Sequence, residues 1–206
     1  MKKLNSKFLF IFICALTFCK SADRENSNKL SYVIEYSKLN SDEWKCFKGE
    51  DDFLCIPSDW KAIETDEFNF LAVIDSSVQD NFFVLIIHDT VSISMNLNQY
   101  LSEVYNQLKG DSSEVFSEYR LDGLYYEHST HYYAEYYTWI DSVQYCTISM
   151  YTKRDENIFD FTMKFPSQFK VNMYEKFQGI IYNYKYKKSY LFDEKERIVE
   201  IKSLKF

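Results

Sequence analysis

From Val115 onward the side chains alternate between polar and apolar with a period of two, and this constrains the fold more than any other feature of the chain. Alternation puts successive side chains on opposite sides of an extended backbone, so it specifies strands rather than helices. Cys146, Ile148 and Met150 set against Tyr145, Thr147, Ser149 and Tyr151 show the pattern most clearly. Turn-forming residues interrupt it at Asp122-Gly123, at Asp141-Ser142 and from Arg154 to Asn157. The segments between them are Glu114 to Leu121, Leu124 to Glu127, His131 to Ile140, Val143 to Lys153 and Ile158 to Phe165. They are expected to form an antiparallel meander with one face against a helical layer and the other face wetter.

Helical periodicity flanks this block. Tyr100, Leu101, Val104, Tyr105 and Leu108 recur at helical spacing, with Asn96 and Gln99 in a capping arrangement before them and Gly110 behind. After Pro166 and Ser167, the residues Val171, Tyr174, Phe177, Ile181 and Tyr184 predict a closing helix with one apolar face. Gly179 lies inside that helix and costs it about 1 kcal/mol relative to alanine. Upstream, Asn69 to Asp75 and Asn81 to His88 are apolar runs of strand length, expected as central strands buried on both faces. Leu30 to Tyr36 fits either a strand or a short helix. The tail after Ser189 fits an added strand, a helix or a loosely held extension.

The first residues are of another kind. Lys2, Lys3 and Lys7 precede an uncharged apolar run from Phe8 to Phe18 that Lys20 closes. A basic start followed by a short apolar stretch has the form of a secretion signal. The run is about half the roughly 20 residues that a membrane span needs. Leu16-Thr17-Phe18-Cys19 resembles a lipobox, in which the cysteine becomes diacylated and N-terminal after cleavage, and the polar stretch Lys20 to Lys29 suits a flexible tether. Cleavage after Ser21 by ordinary signal peptidase is the other route. The expected destination is the cell envelope, membrane-anchored through Cys19, or periplasmic or secreted if Cys19 is not lipidated.

Export permits disulfides. Cys14 and Cys19 belong to the leader, which leaves Cys46, Cys55 and Cys146. Trp44 to Lys48 and Phe53 to Pro57 flank Gly49-Glu50-Asp51-Asp52, the pattern of a hairpin with a four-residue loop. If Lys48 pairs with Phe53, Cys46 falls directly opposite Cys55, close to bridging distance, so a Cys46–Cys55 disulfide is expected. Cys146 sits in an alternating strand as a core residue.

Composition excludes some functions. Lys and Arg number 24 against 31 Asp and Glu, a net charge of −7 that loss of the basic leader makes more negative, which argues against binding nucleic acid. Hydrophobic residues make up 46% of the 206 positions, enough for a folded domain. Only 4 glycines leave little material for backbone cradles around phosphates, and no nucleophile motif or cofactor motif is present. No catalytic residue and no cofactor are therefore expected. The closest approach to a metal-ligand set is Glu127, His128, His131 and Glu135, since imidazole and carboxylate suit zinc-like ions. Glu64, Asp66 and Glu67, and likewise Asp155 and Glu156, are acidic groupings better read as solvated turns. The tyrosine pairs 125–126, 132–133 and 136–137 send one ring to each side of their strands, so half the rings are expected in the core and in cross-strand aromatic pairs, with Tyr125, Tyr133 and Tyr137 as the candidates for an exposed binding stripe.

Three segments carry a resemblance. Phe53-Leu54-Cys55-Ile56-Pro57-Ser58-Asp59-Trp60 is similar to an early strand ending in a Pro-x-x-Trp corner, Asn98-Gln99-Tyr100-Leu101 to the opening of a first helix, and Phe177-Gln178-Gly179-Ile180-Ile181 to a final one. In this order they resemble the PsbP-like fold family, which includes DcrB-like bacterial lipoproteins. The resemblance implies an α+β fold, an α/β/α sandwich around an antiparallel sheet, and members that serve mainly in binding or assembly. The expected organisation is a signal peptide at 1–19, a tether at 20–41, a PsbP-like domain at 42–187 and an extension at 188–206. The expected function is a non-catalytic envelope lipoprotein that binds a protein partner. The alternatives are a metal-binding protein or hydrolase built on the Glu127, His128, His131 and Glu135 cluster, and a periplasmic chaperone-like holder of hydrophobic segments.

Overall fold

The computed structural model describes residues 43–63, 70–74, 84–90, 95–110, 117–140, 142–192 and 197–205. The leader, the tether, Leu30 to Tyr36, Cys14, Cys19 and the acidic residues Glu64, Asp66 and Glu67 lie outside them. The N-terminal hairpin joins β1 (Trp44–Lys48) to β2 (Asp52–Pro57), with Lys48 opposite Phe53 and Cys46 opposite Cys55. The two cysteines form a disulfide, as the hairpin register predicts.

Pro57 ends β2, Ser58 donates its amide to the Glu43 carbonyl at 2.8 Å, and Trp60 opens β3 (Trp60–Ile63). This corner carries the chain from one sheet into another, because proline supplies no amide to continue the ladder. β3 pairs with β4 (Phe70–Ile74) and β4 with β5 (Val84–Thr90). The two apolar runs are strands, but they do not occupy the centre. The larger sheet runs β12 (Ile198–Leu204), β6 (Ser117–Tyr126), β7 (Thr130–Ile140), β8 (Val143–Arg154), β9 (Asn157–Pro166), β5, β4 and β3, so β4 stands next to the edge.

The central strands are β7 (Thr130–Ile140), β8 (Val143–Arg154) and β9 (Asn157–Pro166), joined by tight turns in which Ser142 and Asp155 take positive φ. β6 (Ser117–Tyr126) corrects the predicted turn at Asp122-Gly123, since it passes straight through both residues. Asp122 is buried and is ion-paired with Arg120, and its Oδ1 accepts the Ser203 hydroxyl at 2.7 Å. A side chain at Gly123 would lie 2.9 Å from the Tyr125 ring. Glycine here makes room for an aromatic neighbour rather than supplying turn conformation.

The helices lie on opposite faces of the sheet. α1 (Leu97–Gly110) opens with the expected reciprocal cap, Asn96 and Gln99 each accepting the other's amide at 2.9 Å. It sets Leu101 against Leu121, Tyr132, Ala134 and Tyr151. α2 (Lys170–Asn183) follows a 3-10 turn at Ser167–Phe169. Its seated residues are Met173, Phe177, Ile180 and Ile181, packed with Phe159, Phe161 and Phe165 of β9. Val171 is 77% exposed, which corrects its placement on the apolar face. At about 100° per residue it lies roughly 120° from Phe177.

The face of β8 expected to be wetter is also covered. Tyr145, Thr147, Ser149 and Tyr151 are as buried as Cys146, Ile148 and Met150. The C-terminal segment is woven into both sheets. β10 (Lys185–Tyr186) and β11 (Ser189–Tyr190) complete a four-stranded sheet in the order β1-β2-β10-β11, Leu191 and Phe192 enter the core, and β12 (Ile198–Leu204) borders β6.

Candidate functional site

On the α2 side, β7 presents His131, Tyr133, Glu135 and Tyr137 in alternation. Glu135 is the hub of this row. Tyr133 donates to its Oε2 and Tyr137 to its Oε1, each at 2.8 Å, while the Lys170 ammonium at the start of α2 reaches Oε1 at 2.6 Å. Burial alone would raise the Glu135 pKa. The hydrogen bond and charge of Lys170, with the two tyrosine hydroxyls, bring it below its ordinary value. Glu135 is thus held as a carboxylate with both oxygens bonded, an arrangement that anchors α2 to the sheet rather than one that shuttles protons.

Cys146 stands opposite Tyr137 on β8. Burial, with the nearby Glu135 charge, pushes its thiol up to about 12 despite Lys170 and a Tyr137 hydrogen bond. A thiol this reluctant to ionise is a poor nucleophile. It is the core residue the alternation predicts.

His131 lies two register steps from Glu135, with Tyr133 between them. Its ring meets Thr152 Oγ1 at 2.7 Å and Ser129 Oγ at 3.0 Å, between the rings of Tyr126 and Phe192. Burial lowers its pKa to about 4, so the imidazole is neutral across ordinary pH. Glu127 and His128 are exposed in the turn after β6. The predicted set of Glu127, His128, His131 and Glu135 does not come together. Strand geometry separates His131 from Glu135 by about 13 Å. No group of three or more His, Cys, Asp or Glu among the described residues is placed to hold a metal ion.

The α1 side carries a second polar network. Tyr100 of α1 donates to Asp160 Oδ2 at 2.8 Å, Thr162 donates to Asp160 Oδ1 at 2.8 Å, and Ser149 and Thr162 share a hydrogen bond of 2.7 Å. Burial and then Asp160 raise the Tyr100 pKa far from the range of a phenolate nucleophile. Tyr132 donates to Asn98 Oδ1 at 2.9 Å, a further tie between helix and sheet. Sequence reasoning missed both networks. Their local trace is a set of polar residues two apart on one strand, Tyr133, Glu135 and Tyr137 on β7 and Asp160 and Thr162 on β9.

The expected tyrosine stripe is divided between the two faces. Tyr133 is 1% exposed and belongs to the core, and Tyr137 is half-buried and tied to Glu135. Tyr125 lies on the α1 side over Gly123, with the Lys202 ammonium 5.1 Å from its ring centre. The three do not form one surface. Among the described residues, the space between α2 and the sheet is filled by aromatic and aliphatic packing, so the groove expected of a chaperone-like holder is not seen there. No described helix is long and apolar enough to cross a membrane.

No family model matches the chain, and no curated protein matches it. Among solved structures it is similar to cyanobacterial PsbP (CyanoP) from Synechocystis sp. PCC 6803, with a TM-score of 0.52 and 9% identity over 75% of this chain and 98% of that one. It is also similar to LpqN, involved in cell envelope biogenesis of Mycobacterium tuberculosis, with a TM-score of 0.44 and 9% identity over 69% of this chain and 89% of the other. The first likeness gives the α+β chain a PsbP-like fold, as the three sequence segments imply.

Proposed function

We propose that this protein is a non-catalytic binding or assembly module of the cell envelope, exported by its leader and anchored through a lipid on Cys19. The observation that carries export is the Cys46–Cys55 disulfide, because such bonds persist in oxidising compartments outside the cytoplasm. The leader sequence supports the same destination. In favour of a non-catalytic role, two buried or half-buried carboxylates on the sheet faces, Glu135 and Asp160, are engaged in holding helices to strands. Glu135 is bonded to Lys170, Tyr133 and Tyr137, and Asp160 to Tyr100 and Thr162. These sites bear on function, since a shared fold alone carries no activity.

Anchoring is tested by growing the native host with a radiolabelled fatty acid. The expected result is label in the wild-type band and none in Cys19→Ala, with the variant released from the membrane fraction. Label retained in Cys19→Ala, or absent from both, refutes the anchor. Export is tested separately by alkylating the protein as isolated. Modification of Cys46 and Cys55 only after reduction supports an oxidising destination, and their modification without reductant counts against it.

A further inference from the structure

One of the two borders of the large sheet is β12, and no described strand pairs with its free side. Exposed strand edges are ready templates for another strand. This one also exposes apolar side chains, Val199 at 63% and Ile201 at 45%. Glu200 and Lys202 stand on the α1 side, ion-paired to each other at 2.8 Å, and Ile201 faces the other way, opposite Leu124 of β6.

We propose that β12 pairs antiparallel with β12 of a second copy of this chain, about a two-fold axis at Ile201. In that register Ile201 meets the partner's Ile201, Glu200 meets the partner's Lys202, and Lys202 meets the partner's Glu200. Both charge pairs are complementary, and the exposed isoleucines cover each other. Shifting the register by two residues in one direction would set Lys202 against its own copy, and in the other Glu200 against its own copy. The pattern of Glu200, Ile201 and Lys202 thus selects one alignment among those that keep the sheet faces matched. One strand per protomer is much smaller than the usual 20–30 residues a side, so the dimer is weak and forms at high local concentration. The pairing is a property of the folded domain and does not depend on lipidation.

The test uses the full chain in mild detergent, with Cys14 and Cys19 replaced by serine, at protein concentrations on the order of 100 µM. Ile201→Cys is oxidised in parallel with Val199→Cys. Directly opposed β-carbons lie about 4.5–5.5 Å apart, within reach of a disulfide, whereas the two copies of position 199 lie about 13 Å apart in this register. The expected result is a covalent dimer with Ile201→Cys and little with Val199→Cys. Adding Lys202→Glu should lower the dimer yield about tenfold, and adding Glu200→Lys to that variant should restore it. Equal yields at 199 and 201, or a yield indifferent to Lys202→Glu, overturn the register. A monomer in every variant overturns the pairing and leaves the edge to a strand of another protein.

Discussion

Replacing Gly179 with alanine tests how α2 is seated. In an exposed helix interior this substitution stabilises by about 0.5–1 kcal/mol, because glycine loses more backbone freedom on folding. At Gly179 an added β-carbon would lie 2.8 Å from Cη2 and 3.1 Å from Cζ2 of Trp44. Carbon atoms pack best at about 3.5–4.0 Å, so the contact is short by roughly 0.7 Å. Trp44 cannot retreat freely, since its side chain packs against the core cluster and its strand is held by the Trp44–Pro57 pairing and by the Cys46–Cys55 bond two residues on. On the helix side, Asn183 donates to the Gly179 carbonyl at 2.8 Å. Overpacking of this kind costs about 1–3 kcal/mol, which exceeds the helix gain. Gly179→Ala should therefore destabilise by about 1–2 kcal/mol in urea unfolding followed by circular dichroism. In a Trp44→Ala background the ring is gone, and the same substitution should become stabilising. A double-mutant cycle should give a coupling of about 1.5–3 kcal/mol. If Gly179→Ala stabilises the parent protein, or has the same sign in both backgrounds, the reasoning is wrong.

Other perturbations have equally definite outcomes. His131 has a folded pKa of about 4 against an ordinary 6.5, so the unfolded chain gains a proton that the native state refuses as pH falls from 6.5 to 4. Stability should drop by about 2–4 kcal/mol across that window, and His131→Gln should flatten the slope of urea midpoint against pH. Opening the disulfide with Cys46→Ser and Cys55→Ser removes a short cross-link, nine residues in separation. The loss should be about 2–3 kcal/mol, read as a lower melting temperature. Lys187 and Lys188 both take positive φ in the β10–β11 turn, a conformation that suits glycine, so Lys188→Gly should raise stability by about 0.5–1 kcal/mol in chemical unfolding. Glu135→Gln keeps the shape but removes the carboxylate charge facing Lys170 and should cost about 1–3 kcal/mol by the same measurement.

What could be read in advance was local. The β7–β8–β9 hairpins follow from alternation and turn residues, the disulfide from hairpin register, and the α1 cap from Asn96 and Gln99 standing three apart. Asp122-Gly123 misled because the same dipeptide serves tight turns and crowded strands, and only the Tyr125 ring and Ser203 decide between them. The phase of α2 was misjudged at Val171 because apolar character alone does not reveal which side of a helix has a neighbour. Thr147 and Ser149 suggested a wet face, yet their burial depends on helix and strand segments distant in the chain. The Glu135–Lys170 pair, 35 residues apart, has the same character. The candidate metal set failed for a different reason. His131 and Glu135 share a face of β7, but an extended strand keeps them apart, and His131 is already engaged by Thr152 and Ser129.

The Ser203 hydroxyl on Asp122 is a contact of high sequence separation, the kind expected to form late in folding. The two residues are 81 positions apart, and synthesis runs from β6 toward β12. As the chain is made, β6 is complete long before its outer neighbour exists. Loop closure over such a span is slow compared with hairpin formation, so the β7–β8–β9 meander can assemble first and the outer strand last. On this ground the border strand is expected to dock last, as a latch on a sheet already formed.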